Sequence, residues 1–447
     1  MRKILLATAA GFAAFVADGV APAKAQTPAA AAAPQPGFSV SVTGRLRFHG
    51  ALISQDGDSA NQIYTPPGGN PVNVVGSKLS NLDFNTVGRF RLDLTGRNPE
   101  GLIYGGRLEV RHAVQSGDPT ANANLFFRVA NGFIGTPTLG QLRFGSNGVL
   151  AVPQMFVGHI MGSIGTGLLD GDFGDYIYQG AGLNAIGVLA NSFWYSASGN
   201  VNRSTGIGYY SPQFFGFDFG ISFAPNEYAF LGGCGTSGAA FRKCDRTSTV
   251  NDNAEHKLRN IFDVMLRYRG TFGPVGIAAS GGLRTAGTTS AGGVPPNNAT
   301  ARKNPTVGIV GAEVTYAGFT VGGISTFGSA NRGFAGGAAA PIILPKNGNN
   351  DGLFSWQIGA RYTFGPFTVG GAYHELRSEG DLNAPADRRE RGFGFGGSYA
   401  LGPGISLFAE YVNSRVTESG VDFITYQAGT QEKFNAQVFL AGVNLGF

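Results

Sequence analysis

Tryptophan and cysteine are nearly missing from these 447 residues, at two of each. After the first 25 residues no stretch reaches the ~18 apolar residues that a membrane helix needs, which excludes a helical membrane bundle. No long helical period interrupts the chain, which argues against an all-α fold. The basic residues are dispersed and not clustered, so the electrostatic footprint of a nucleic-acid binder is absent. Serine, histidine and acidic residues occur, but their spacing singles out no nucleophile–base–acid set, and the chain does not read as an enzyme. The two cysteines, Cys234 and Cys244, are spaced to close a small disulfide loop in an oxidising compartment. A zinc site would need more ligands, and only His256 lies near them in sequence.

Glycine is abundant, at 72 residues, and phenylalanine outnumbers tryptophan 35 to 2. Residues 1–25 read as a secretory signal: Arg2 and Lys3, an apolar core from Ile4 to Val16, and the small-x-small pattern Ala23-Lys24-Ala25. Removing them takes away three basic residues and one acid, so the formal net charge falls from +5 to +3. Residues 26–36 are Ala/Pro-rich and read as a spacer. From Phe38 to His49 the chain alternates: Phe38, Val40, Val42, Leu46 and Phe48 share one face, and Ser39, Ser41, Thr43, Arg45, Arg47 and His49 the other. The period returns in sixteen candidate strands: 38–49, 84–96, 102–115, 124–135, 138–146, 204–213, 216–224, 258–270, 274–285, 304–316, 318–328, 353–364, 366–377, 390–401, 404–416 and 436–447.

Short turns alternate with long loops, so each strand pair reads as an antiparallel hairpin with tight turns at one end of the molecule. The long connections are 50–83, 116–123, 147–203, 225–257, 286–303, 329–352, 378–389 and 417–435. The polar faces carry Arg, Glu, Asp, Ser, Thr and Gln, which are poor material for a sandwich core. The pattern suits a closed transmembrane barrel, apolar towards lipid and polar towards water. Tyr104, Phe133, Phe217, Phe272, Tyr316, Phe319, Phe364, Phe367 and Tyr399 flank the short turns and read as an aromatic girdle.

Three stretches carry a family resemblance. They are Phe133-Ile-Gly135 to Leu139-Gly-Gln-Leu-Arg-Phe-Gly145, then Gly206-Ile-Gly-Tyr-Tyr-Ser-Pro-Gln-Phe-Phe-Gly-Phe217, and the last strand ending on Phe447. The chain resembles the trimeric general porins of the bacterial outer membrane, especially the sixteen-stranded alphaproteobacterial ones. The resemblance implies an all-β antiparallel barrel over 37–447 in the outer membrane. It implies a homotrimer among lipid and lipopolysaccharide, and a water-filled channel for passive diffusion of ions and small hydrophilic solutes. A solute-selective, anion-preferring channel is the alternative. The family's third loop folds inward as a constriction facing arginines on the wall.

Both parts are present. Arg45, Arg47, Arg89, Arg91, Arg107, Arg111 and Arg143 fall on polar strand faces, and Arg128 joins them on a less regular strand. The long region 146–203 contains Asp170-Gly-Asp172-Phe-Gly-Asp175. Opposed Arg and Asp groups would set a transverse field and an ion preference. The competing reading is local pairing, of Arg91 with Asp93 and of Arg107 or Arg111 with Glu109. The three aspartates also fit calcium in ligand type, but the spacing lacks the EF-hand series, and no cofactor is expected. Asn191–Tyr195 reads equally as loop or as wall. Gly392-Phe-Gly-Phe-Gly-Gly397 lies inside an alternating strand, so it is read as barrel glycine and not as a dinucleotide loop. His49 and His374 read as polar lining.

Overall fold

A strand with one apolar and one polar face needs two solvents, and its open edges need partners; closing the sheet supplies both. The computed structural model describes residues 37–57, 59–64, 72–113, 125–160, 176, 204–226, 258–288, 304–329, 353–378, 388–417, 419 and 432–447. The strands are β1 (Gly37–Gln55), β2 (Ser59–Tyr64), β3 (Val72–Lys78), β4 (Leu82–Arg97), β5 (Ile103–Ala113), β6 (Leu125–Thr136) and β7 (Gly140–Ser146). A short helix α1 (Ala151–Met155) precedes β8 (Thr205–Tyr210), β9 (Phe217–Asn226), β10 (Leu258–Phe272), β11 (Val275–Thr288), β12 (Thr306–Tyr316) and β13 (Phe319–Ser329). The last five strands are β14 (Leu353–Phe364), β15 (Phe367–Ser378), β16 (Arg388–Gly402), β17 (Ile405–Thr417) and β18 (Lys433–Gly446).

All strands but β2 and β3 form one closed barrel, in the order β1-β18-β17-β16-β15-β14-β13-β12-β11-β10-β9-β8-β7-β6-β5-β4. Neighbours are antiparallel, and β1 closes the ring by pairing with β4 on one side and β18 on the other. All sixteen expected strands are present. Alternation sets the faces: Phe38, Val40, Val42, Leu46 and Phe48 are exposed on the outer surface, whereas Arg47 and His49 are buried inside. The tight turns use left-handed backbone where two-residue hairpins require it; Ala317 and Gly318 both have positive φ between Tyr316 and Phe319.

The girdle at the short-turn end is present, with a stacked contact from Phe319 to Tyr362 (4.0 Å) and a tilted one from Phe367 to Tyr399 (4.6 Å). Phe133 is a correction to it. It lies directly across from Gly105 and Arg143, so it shares the inner face, and its neighbour Ile134 is the exposed residue. Residues 131–134 read Asn-Gly-Phe-Ile, and two adjacent apolar residues leave the face open until register decides it.

Two further differences concern the loops and the inner wall. The connection 50–83 contains the hairpin β2–β3, six and seven residues long, which pairs only with itself. Strands that short carry too little alternation to stand out. On β17 and β18 the inner face is buried and mostly apolar, with Phe408, Val412, Val416, Phe434, Ala436, Val438 and Leu440, and with Glu410 and Ser414 of β17 among them. The expected polar lining is sparse on that arc. Residues 1–36, Asp170, Asp172, Asp175, Asn191–Tyr195, Cys234 and Cys244 lie outside the described residues.

Candidate functional site

Register turns the scattered arginines into rows. Directly paired residues of antiparallel strands point to the same side, ~4.5–5.5 Å apart. Arg45 of β1 stands across from Arg89 of β4, and Arg89 across from Arg111 of β5. Three cations therefore share one row on the inner wall. Like charges in such a row repel, and the rows beside it answer with acids. Arg91 pairs across with Glu109, and Asp93 with Arg107.

Glu109 is the hub, with its carboxylate nearly fully buried. It accepts from Arg91 (Nη2 3.1 Å, Nε 3.3 Å) and from Arg128 (Nη1 2.8 Å). Arg107 Nε donates to Asp93 at 2.5 Å. Local pairing is thus real, but its partners are exchanged relative to the sequence reading: Arg91 takes Glu109 and Arg107 takes Asp93. Spacing along one strand suggested Arg91 with Asp93 and Arg107 or Arg111 with Glu109; the cross-strand register delivers the exchanged pairs. Arg128 owes its aim to a β-bulge, since Glu109 and Val110 face Val129 and Phe127 and leave Arg128 as the extra residue.

Arg47 donates through Nε to Asn444 Oδ1 at 2.9 Å, and its guanidinium lies 6.0 Å from the ring centre of Phe408. Arg143 sits further along the wall on β7. It donates to Gln141 Oε1 (2.6 Å) and Gln154 Oε1 (3.4 Å), and its guanidinium stacks 4.6 Å from the Tyr210 ring centre.

The chain leaving β7 turns sharply at Asn147 and Gly148, both at positive φ. Asn131 Nδ2 donates to the Asn147 carbonyl, and Asn147 Nδ2 to that of Arg128 (3.0 Å). Helix α1 then meets inner-wall side chains of β9 and β10. The first N–H groups of a helix lack partners within it, and the wall supplies them. Ala151 N–H donates to Ser222 Oγ (2.7 Å) and Val152 N–H to Asp263 Oδ2 (3.0 Å). Asp263 also accepts Arg284 at both oxygens, at 2.7 and 2.8 Å. Negative charge there matches the positive end of the helix. Ala151, Val152, Met155 and Phe156 pack with Met265, Ile309 and Ile324 into an apolar cluster.

Sequence reading missed the glycines that receive the next residues. A Cβ on Gly311 would lie 1.9 Å from the carbonyl oxygen of Val157, and one on Gly359 would lie 2.9 Å from Ile160 Cβ. Gly158, at φ +98°, comes so close to the backbone of Gly323 that a side chain there has no room. Glycine content was the available signal, but only packing shows which glycines serve this purpose. His159 is half-buried beside Phe156 (6.2 Å between ring centres), and desolvation holds its pKa well below the ordinary histidine value.

Tyr176, next to Asp175 in sequence, lies against β1. Its hydroxyl bonds His49 at Nδ1 (2.8 Å) and at the carbonyl oxygen (3.1 Å). Residues 149–160 thus meet the wall at β8 to β14, and Tyr176 meets it at β1. Among the described residues no group of three His, Cys, Asp or Glu could hold a metal ion.

A family model described as Gram-negative porin matches residues 8–419. No curated protein matches the chain in sequence. Solved structures share the fold. The anion-selective porin from Comamonas acidovorans is 16% identical with a TM-score of 0.53, over 92% of this chain and all of that one. OmpF of Salmonella typhi, in complex with daunomycin, is 12% identical with a TM-score of 0.53, over 91% of this chain and 97% of its own. The outer membrane channel DcaP of Acinetobacter baumannii is 16% identical with a TM-score of 0.50, over 92% and 98%.

Proposed function

This chain belongs to the Gram-negative porin family, a barrel of the outer membrane through which solutes diffuse, and from that premise we propose how its channel is narrowed and charged. The third long loop, 146–203, lies inside the barrel and leaves the open passage along the arc of β1, β4, β5, β6 and β7. Arg45, Arg47, Arg89, Arg91, Arg107, Arg111 and Arg143, with Arg128, line that side. Asp170, Asp172 and Asp175 face them from the loop. Ions and small hydrophilic solutes pass down their gradients with no chemical step and no cofactor, and three copies assemble around a common axis.

The observation that carries this reading is the loop's anchorage. Residues 151–160 are held by inner-wall groups of β9 to β14, from Ser222 and Asp263 to Gly359, on the arc away from the arginine rows. The wall's composition favours anions. Eight arginines stand there with three acids, Asp83, Asp93 and Glu109, among the described residues, and a wall dominated by one charge sign selects the opposite ion.

Recording in planar bilayers tests it. Purified protein is expected to give ohmic steps in groups of three, with a reversal potential on the anion side in a salt gradient. Changing Asp170, Asp172 and Asp175 together to Asn should strengthen that preference. An unchanged reversal potential would remove the three acids from the constriction, and absence of conductance from folded protein would remove the channel itself.

A further inference from the structure

Around most of the barrel the loop end of the outer surface carries aromatics and aliphatics. Phe223, Phe262, Phe327 and Phe354 are all exposed there. From β15 onward this changes. The row that contains Phe327 and Phe354 continues directly as Arg377, Arg389, Thr417 and Lys433. The row below it runs Trp356, Glu375, Arg391, Arg415 and Asn435. Arg377, Arg391 and Lys433 are exposed, while the inner row that alternates with them, Leu376, Glu390, Val416 and Phe434, is buried and carries one charge. On this arc charge is concentrated on the outer face, where the usual barrel pattern places apolar and aromatic side chains.

Five cations are set against two carboxylates. Glu375 accepts Arg377 (2.7 Å) and Arg389 (2.9 Å), and Asp56 is engaged by Asn435 through its backbone and side-chain nitrogens. Arg391 and Arg415 stand directly across from each other, and neither has an acid partner among the described residues. The height is informative. Ten residues separate Phe367 in the short-turn girdle from Arg377. At the usual strand rise and tilt that is about 25 Å, the thickness of the apolar band. The arginines therefore stand at the outer headgroup layer, in the row where other strands place the second girdle.

We propose that this face of β15–β18 binds a phosphate-bearing anionic lipid of the outer leaflet. The Arg391–Arg415 pair would grip a phosphate through forked N–H donors, and Trp356, Tyr373 and Phe393 would lie along its acyl chains. The proposal rests on the outer-membrane location and not on the constriction, so channel conductance and lipid binding can fail separately. A second copy of the chain is a poorer occupant, because its approach would have to neutralise a net positive face.

The test is native mass spectrometry of the detergent-folded protein titrated with bisphosphorylated lipid A, with its dephosphorylated form, and with inorganic phosphate. The bisphosphorylated lipid is expected to bind, the dephosphorylated form at least tenfold more weakly, and inorganic phosphate not measurably. The double variant Arg391→Gln/Arg415→Gln should lose about tenfold or more in affinity, since charge-assisted bonds to phosphate are among the strong ones. Its single-channel conductance should be unchanged, and Arg97→Gln at the opposite end should bind normally. Equal binding of both lipids, or full binding by the double variant, overturns the proposal. So does loss of oligomers in that variant with lipid binding per subunit intact, which would make the face a subunit contact.

Discussion

Replacing Glu109 with Gln tests the arginine wall at its centre. The carboxylate is 1% exposed, and Arg91 and Arg128, at 26% and 23%, donate three hydrogen bonds to it. Removing one partner of a buried ion pair costs about 3–5 kcal/mol. Glutamine keeps one acceptor oxygen, so the loss should be about 2–4 kcal/mol. The same change adds one net positive charge to the wall. At about 8 Å from the ion path in water, a unit charge is worth about 0.5 kcal/mol. Screening at 0.1 M salt roughly halves that. Each ion's local concentration then changes by a factor of about 1.5, in opposite directions, and the anion-to-cation permeability ratio should rise about twofold. Thermal unfolding of the folded barrel reads the first effect, and the reversal potential across a potassium chloride gradient reads the second. A destabilised barrel with an unchanged reversal potential would mean that these arginines do not face the ion path. An unchanged melting temperature would mean that Glu109 does not hold them.

Gly311→Val should unseat the loop, because even its Cβ would sit 1.9 Å from the Val157 carbonyl oxygen; open-channel noise and conductance should both change. Gly281→Ala is its control, with the nearest atom at 3.8 Å and no effect expected on either. His159 gives a pH dependence. Its folded pKa lies below the unfolded value of ~6.5, so its contribution is full above that pH and is lost as pH falls through the folded value. Loop-derived current noise should therefore rise only as pH falls well below the ordinary histidine range, and His159→Gln should abolish the change.

Why the barrel was legible and its interior only partly so has a physical answer. Period-two alternation is imposed by the two solvents, so it is written into each strand alone; Ser355 to Phe364 or Phe38 to His49 suffices to read it. The short turns, such as Tyr316 to Phe319, fix the antiparallel sense. Partnership is a property of two strands together. Whether Arg91 meets Asp93 or Glu109 depends on the β4–β5 register, which no single strand encodes, and Arg128 reaches Glu109 only because a bulge shifts the β5–β6 register by one residue. The glycines under residues 157–160 pose the same difficulty. A glycine that clears space for another segment looks, in sequence, like one that eases a bend.

The barrel also explains why one alternation rule serves for the fold and fails for the site. Its circumference divides into arcs with different inner tasks. On β1 and β4 to β7 the inner face is written in arginine, with Ala51, Val87 and Glu109 buried among the rows. On β9 to β14 it meets residues 149–160, and it is written in Gly311, Gly359, Met265, Ile309 and Ile324. On β17 and β18 it is buried and written mostly in Val412, Val416, Phe434 and Val438, with Glu410 among them, while the outer face at the loop end takes the basic side chains. A strand must keep alternating in all three arcs, because pleating demands it, but what each face meets is set by its position in the ring. Outward charges at the loop end of β15–β18 would be untenable in the hydrocarbon layer, where an arginine is costly at mid-depth and tolerated near the interface. Their position therefore fixes the height of these rows relative to the membrane. With the Phe367 girdle about 25 Å below them, the depth of the whole barrel follows from the two ends of one strand.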